Sequence, residues 1–184
     1  MGEGKEPRIY VDTNVILDVI ERRRKKDDSF LLLDKIKNEG WYCCTSAYTI
    51  CELIDKEQEF LHVGNFLLNR YTLDEILKLR KPKNLSQEQR EDAIDKVRGF
   101  FKQYKIEQFT LEEKGWETAY AVLRDLNISA SDAVQVATAI EANCSIFISN
   151  DEELGKEAQK KLVWMNPTQA NQTLKGQGMT KETL

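Results

Sequence analysis

The stretch RIYVDTNVILDVI, Arg8 to Ile20, holds one carboxylate where an apolar run stops and a second one begins. Arg8 to Val11 is short and apolar, suited to a strand buried on both faces. Asn14 to about Arg23 reads as a helix. An Asp between them has an ordinary explanation, since Asp caps helices for about 1 kcal/mol. Asp12 also stands where open α/β sheets keep their sites, just beyond the carboxyl end of a strand. Both readings stay open on this stretch alone.

The same alternation continues outward along the chain. Ser29 to Asn38 is a helix, and Gly40 is a natural stop for it. Trp41 to Thr45 reads as a second strand. A helix follows from Ser46 or Ala47 to about Phe60, with Ile50, Ile54 and Leu61 on one side, and more helix runs on to Asn69. Tyr71 to Leu85 is polar, basic and contains Pro82, which predicts an irregular connection. Ser86 with Gln89 and Thr110 with Glu113 are capping-box patterns, opening helices to Tyr104 and to about Leu126. Between them Lys105 to Phe109 alternates like a short strand. A helix from about Ser131 to Ala142 leads to a third buried strand, Cys144 to Ser149. Glu152 to Lys161 is helical, Leu162 to Met165 is a last strand, and the polar tail after Pro167 is expected to fray.

Strands separated by helix-length connections imply crossovers and a parallel sheet with helices on both faces. The expected fold is therefore α/β, a Rossmann-like three-layer α/β/α sandwich with a central, mostly parallel sheet. A helical insert occupies about 71–104. The expected organisation is a flexible 1–7, a single domain over 8–166 and a polar tail over 167–184.

With 184 residues the chain can bury one full core, and its 41% apolar and 32% charged composition is that of a globular protein. No apolar run reaches the roughly 18 residues of a membrane span, which predicts no membrane association. MGEGKEP at the start lacks the apolar core of a signal peptide, which points to the cytoplasm. Cys43, Cys44, Cys51 and Cys144 lack paired CxxC spacing and fit buried, reduced thiols better than disulfides or zinc ligands. The single histidine, His62, lies in a polar helical stretch without ligand-spaced neighbours and suits a surface or packing role. Hydrolytic chemistry here would have to run on carboxylates.

Net charge is −4, yet the basic residues cluster. Arg22, Arg23, Arg24, Lys25 and Lys26 form one patch, and Lys81 and Lys83 belong to another. Alone these are solvated loops; beside a site that handles phosphodiesters they become candidate phosphate contacts.

Among the carboxylates, Asp151 follows a strand as Asp12 does and could cap the next helix. Asp132 forms a capping pattern with Ser129, but also starts the apolar stripe of Val136, Ala139 and Ile140. A carboxylate at the head of a buried face is costly unless paired, and a cation is a common partner. Periodicity puts Glu52 on a solvated face, with Tyr48, Asp55 and Glu59.

Four segments in order, YVDTNVILD, TSAYTICELI, SASDAVQVATAIEANC and IFISND, resemble the PIN-domain ribonucleases over most of the chain. The resemblance implies four acids, Asp12, Glu52, Asp132 and Asp151, converging above the sheet to hold Mg²⁺ or Mn²⁺. Asn14, Ser131 and Ser149 fall where that family often places polar supporting groups. The family varies between Asp and Asn at the last acid, and Glu152 and Glu153 lie close enough to serve instead. Oxygen ligands suit Mg²⁺, and clustered carboxylates repel until cations neutralise them. The implied activity is hydrolysis of RNA phosphodiesters. A small stand-alone domain of this kind resembles the VapC-type toxins, which implies an antitoxin protein as partner and a homodimer. The extra helical material from about Tyr71 to Tyr104 fits a housekeeping RNA-processing nuclease instead.

Two rival readings fit the residues less well. A phosphoryl-transfer hydrolase with an aspartyl nucleophile wants D-x-D-x-T after the first strand, and Asn14 removes its second Asp. A degenerate domain that only binds RNA would have lost some of the acids, and all four are present.

Overall fold

The computed structural model describes residues 7–23, 26–69, 71–72, 74–75 and 85–174. They form two compact units, one of Met1–Thr49 with Tyr104–Leu184 and one of Ile50–Gln103.

The first unit contains a five-stranded sheet made of β1 (Arg8–Val11), β2 (Tyr42–Ser46), β3 (Glu107–Phe109), β4 (Ile146–Ile148) and β5 (Val163–Met165). Every pairing is parallel, and the order is β3-β2-β1-β4-β5. The chain thus builds outward from β1 to β3, then returns to β1's other side. That reversal puts the topological switch point between β1 and β4.

Helices α1 (Thr13–Ile20), α2 (Lys26–Glu39), α5 (Glu113–Asp125), α6 (Ala130–Glu141), α7 (Glu152–Ala158) and α8 (Pro167–Thr173) complete this unit. Tyr10, Cys44 and Phe147 point to one face and pack with Ala119 and Val122 of α5, Val136 and Ala137 of α6 and Ala158 of α7. Ile9, Val11, Cys43 and Ile148 alternate onto the other face, where α1, α2 and α8 pack on one another. The result is the expected three-layer α/β/α arrangement. Gly40 ends α2 as expected: its φ of 69° lets Trp41 N–H reach the Ile36 carbonyl at 3.1 Å. Asn143, at φ 54°, ends α6 in the same way, with Cys144 N–H donating to the Ala139 carbonyl.

Several boundaries differ from the sequence reading. Arg22 adopts a positive φ, so α1 stops at Ile20 rather than near Arg23. Glu112, not Thr110, is the N-cap of α5, and no side chain caps it. The largest correction is at the C-terminal end, where a frayed tail was expected and α8 forms. Asn166 and Gln169 make a full capping box, Pro167 occupies the first turn, and Ala170 is fully buried. Asp28 ties α8 to α2 by accepting from Thr168 Oγ1 at 2.6 Å and, at its carbonyl, from Asn171 Nδ2 at 2.8 Å. Asn166→Ala should cost about 1 kcal/mol. Thermal unfolding should then fall by roughly 2–4 °C.

In the second unit most of α3 (Ala47–Leu68) and of α4 (Gln87–Tyr104) are helical, and the Ser86–Gln89 capping box is present with both bonds at 3.1 Å. Glu57, only 2% exposed, accepts from Lys96 Nζ at 2.6 Å and joins the two helices. The buried stripe of α3 runs through Thr49, Leu53 and Glu57, not Ile50, Ile54 and Leu61, which are half-buried. His62 is buried and meets the Phe66 ring in a T-shaped contact, a packing role. Cys51 is exposed, unlike the other three cysteines, and all four are free thiols. The connection expected over Tyr71 to Leu85, with Pro82, lies largely outside the described residues.

Candidate active site

Strand β1 ends in Val11 beside Ile148, the last residue of β4, so the two following turns lie side by side at the switch point. Asp12 opens the first turn. Its backbone carbonyl accepts from Val15 and Ile16 N–H, but its side chain makes no cap bond. The carboxylate is instead buried, with 2% exposure, and Oδ2 accepts from Asn14 Nδ2 and from Ser149 Oγ, each at 2.6 Å. The capping explanation for Asp12 therefore fails.

Ser149 Oγ uses its full bonding capacity here, and Asn14 donates both of its amide protons. Ser149 Oγ gives its proton to Asp12 and accepts from Asn14 Nδ2 at 3.1 Å and Asp151 N–H at 3.0 Å. Asn14 Oδ1 accepts from Asn150 N–H at 3.0 Å. These bonds lock the β1–α1 turn to the β4–α7 turn. Asp151 itself is exposed and Oδ1 accepts from Glu153 and Leu154 N–H, so it does cap α7.

Asp18 went unnoticed in the sequence. It is 7% exposed and accepts from Asn150 Nδ2 at 2.5 Å and from Ser29 Oγ at 3.2 Å. Its signal was available: Asn14 and Asp18 are four residues apart and share a helix face. Thr13, Thr45 and Thr49 form a second buried hydroxyl chain, with Thr49 Oγ1 accepting from the other two at 3.2 and 3.1 Å.

Helix α6 approaches β1 through Tyr10. The Tyr10 hydroxyl accepts from Ser46 N–H at 3.2 Å and donates to Gln135 Oε1 at 3.4 Å, while its ring stacks on Phe147. Burial, reinforced by the Asp12 charge, pushes the Tyr10 hydroxyl far above its ordinary range and keeps it protonated. Asp132 lies about one turn before Gln135, half-buried at the head of α6. Ser129 caps that helix: it accepts from Asp132 N–H at 3.2 Å and donates to Asp132 Oδ2 at 2.7 Å. With its proton so committed, Ser129 Oγ must accept from Ser131 Oγ, 2.8 Å away.

Asp12, Asn14, Ser149 and Asp151 thus meet in one hydrogen-bonded turn pair, and Ser131 and Asp132 share another network. Glu52 belongs to the second unit and is half-buried, not on a solvated face. Arg22 and Arg23 are exposed, and Arg23 pairs with Glu21 at 2.6 Å. Arg24, Lys25, the Lys26 side chain, Lys81 and Lys83 lie outside the described residues. Among the described residues, no three His, Cys, Asp or Glu side chains are gathered so as to hold a metal as they stand. The donor type nonetheless fits a hard divalent cation, because every candidate group offers carboxylate oxygen. No helix among the described residues is long and apolar enough to cross a membrane.

The sequence matches the family model described as PIN domain over residues 9–159, most of the chain. No curated protein matches it.

Proposed function

Since this chain belongs to the PIN domain family, whose members are generally nucleases that act on RNA with divalent metals, we propose that it is a metal-dependent endoribonuclease. The observation that carries this reading is Asp12, a buried carboxylate at the switch point that caps nothing. Asn14 and Ser149 fix its orientation by donating to the same oxygen. Asp12, Asp132, Asp151 and Glu52 are the proposed ligands of Mg²⁺ or Mn²⁺. When bound, such an ion acidifies water and stabilises charge on the attacking and leaving oxygens of an in-line displacement. The chain's own part is to hold Asp12 rigid and largely out of water, and to present Asp132 on a capped helix end. Tyr10, kept protonated, fixes the α6 helix against β1 through Gln135.

Incubating the protein with single-stranded and structured RNA in Mg²⁺, Mn²⁺ or chelator tests the reading. Cleavage that requires the metal is expected, leaving a 5′-phosphate. Cleavage undiminished by chelator would overturn it. Asn14→Ala should lower cleavage about 10- to 100-fold, as loss of a residue that orients a metal ligand does. The rate is to be compared with thermal stability, because an equal loss of folded protein would trivially explain it.

A toxin role, with an antitoxin protein and a second copy of the chain as partners, rests on the resemblance alone. Growth arrest on expression, relieved by Asp132→Asn, is its test. A housekeeping role predicts no arrest.

A further inference from the structure

The carboxyl ends of β2 and β3 and the starts of α3, α5 and α6 border an open cavity of about 350 Å³, whose lining lies entirely within the first unit. Three aromatic rings, Tyr48, Phe109 and Trp116, stand in its wall, together with the hydroxyl-bearing Ser46, Thr110 and Ser131. Its lining includes no charged side chain. Trp116 is 45% exposed and Tyr48 47%, so neither ring is spent on the core. Ser131 connects the cavity to Asp132 through Ser129.

We propose that this cavity is a nucleobase seat, taking one unpaired base of single-stranded RNA whose backbone passes Asp132. The inference rests on the nuclease reading for its substrate class and extends it to how the strand is held. The wall's chemistry selects the occupant. A phosphate would find no cation in it, whereas a base has a flat face that stacks on aromatic rings regardless of sequence. The hydroxyls match the polar edge of a base, and the volume lies within the range of small-ligand sites. A base already stacked within a duplex is not available to enter, so the seat favours single strands or loops.

The test uses the full chain in chelator, so that no cleavage occurs, with a labelled single-stranded oligoribonucleotide and its duplex. Trp116→Ala should weaken single-strand binding about 5- to 150-fold, the range of one lost base–aromatic stack. Trp116→Phe should restore most of the affinity, which a merely structural role would not predict. Because Trp116 is half-exposed, circular dichroism of both variants should match that of the parent protein. An effect under twofold in Trp116→Ala, equal affinity for duplex, or no single-strand binding by the parent chain would each overturn the seat. So would a dimer that dissociates in Trp116→Ala with RNA affinity unchanged, which would make the aromatic patch a contact for a second copy. A chain that binds through Trp116 yet cleaves nothing in Mg²⁺ refutes the nuclease reading and leaves the seat standing. Metal-dependent cleavage that ignores Trp116 does the reverse.

Discussion

Asp12→Asn is expected to lower metal-dependent RNA cleavage by at least about 100-fold, the upper end of what losing a residue that only orients a ligand costs. The side chain keeps its volume and one oxygen, which can still accept from Asn14 Nδ2 and Ser149 Oγ as Oδ2 does now. What it loses is the negative charge and the second oxygen, the two properties a hard cation needs. Stability should therefore change little while activity collapses. Initial rates in Mg²⁺, set beside thermal unfolding in chelator, check both halves. A variant that cleaves like the parent would remove Asp12 from the chemistry. A variant that unfolds many degrees lower would make it a structural acid.

Gly155→Ala should destabilise the protein by about 3 kcal/mol, at the upper end of overpacking costs. For a chain of this size that is a fall of roughly 6–12 °C in thermal midpoint. A methyl group at Gly155 would stand 2.0 Å from Trp164 Cε2 and 2.4 Å from Nε1. The helix α7 has to give, or the ring must leave. Trp164 cannot swing away freely, because Nε1 donates to the Ser149 carbonyl at 3.3 Å. The strain would therefore reach the turn that orients Asp12. The sign reverses once the ring is absent: in a Trp164→Ala background the same Gly155→Ala step should be neutral, or stabilising by up to about 1 kcal/mol through helix propensity. A double-mutant cycle by denaturant unfolding reads the coupling. Additive effects would show that the contact with Trp164 is not what requires glycine.

Different kinds of signal made different parts of this protein legible. Apolar runs separated by helix-length segments suffice for a parallel sheet, and Asp12 and Asp151 stand out because each directly follows such a run. The Ser86–Gln89 capping box and the Gly40 stop are local, so short-range chemistry specifies them. Helix α8 escaped because seven residues carry too little periodicity, and its Ala170 is buried only once α2 is beside it. The α3 stripe was misread for a related reason: Glu57 looks solvated until Lys96, far along the chain, pairs with it.

The same division runs through the candidate site. The sequence alone determined the layered α/β plan and the position of Asp12 at a strand end. Tertiary structure alone decided that Asp12 does not cap α1, that Asn14 and Ser149 hold it from two turns, that Asp18 braces Asn150, and that three aromatic rings line a cavity beyond β2 and β3. Those facts depend on β4 returning beside β1 and on α5 and α6 closing over the strand ends. Helix, strand and cap preferences act over a few residues. These contacts join groups more than a hundred positions apart, or residues set by which strand neighbours which, and such pairings exist only in the folded chain.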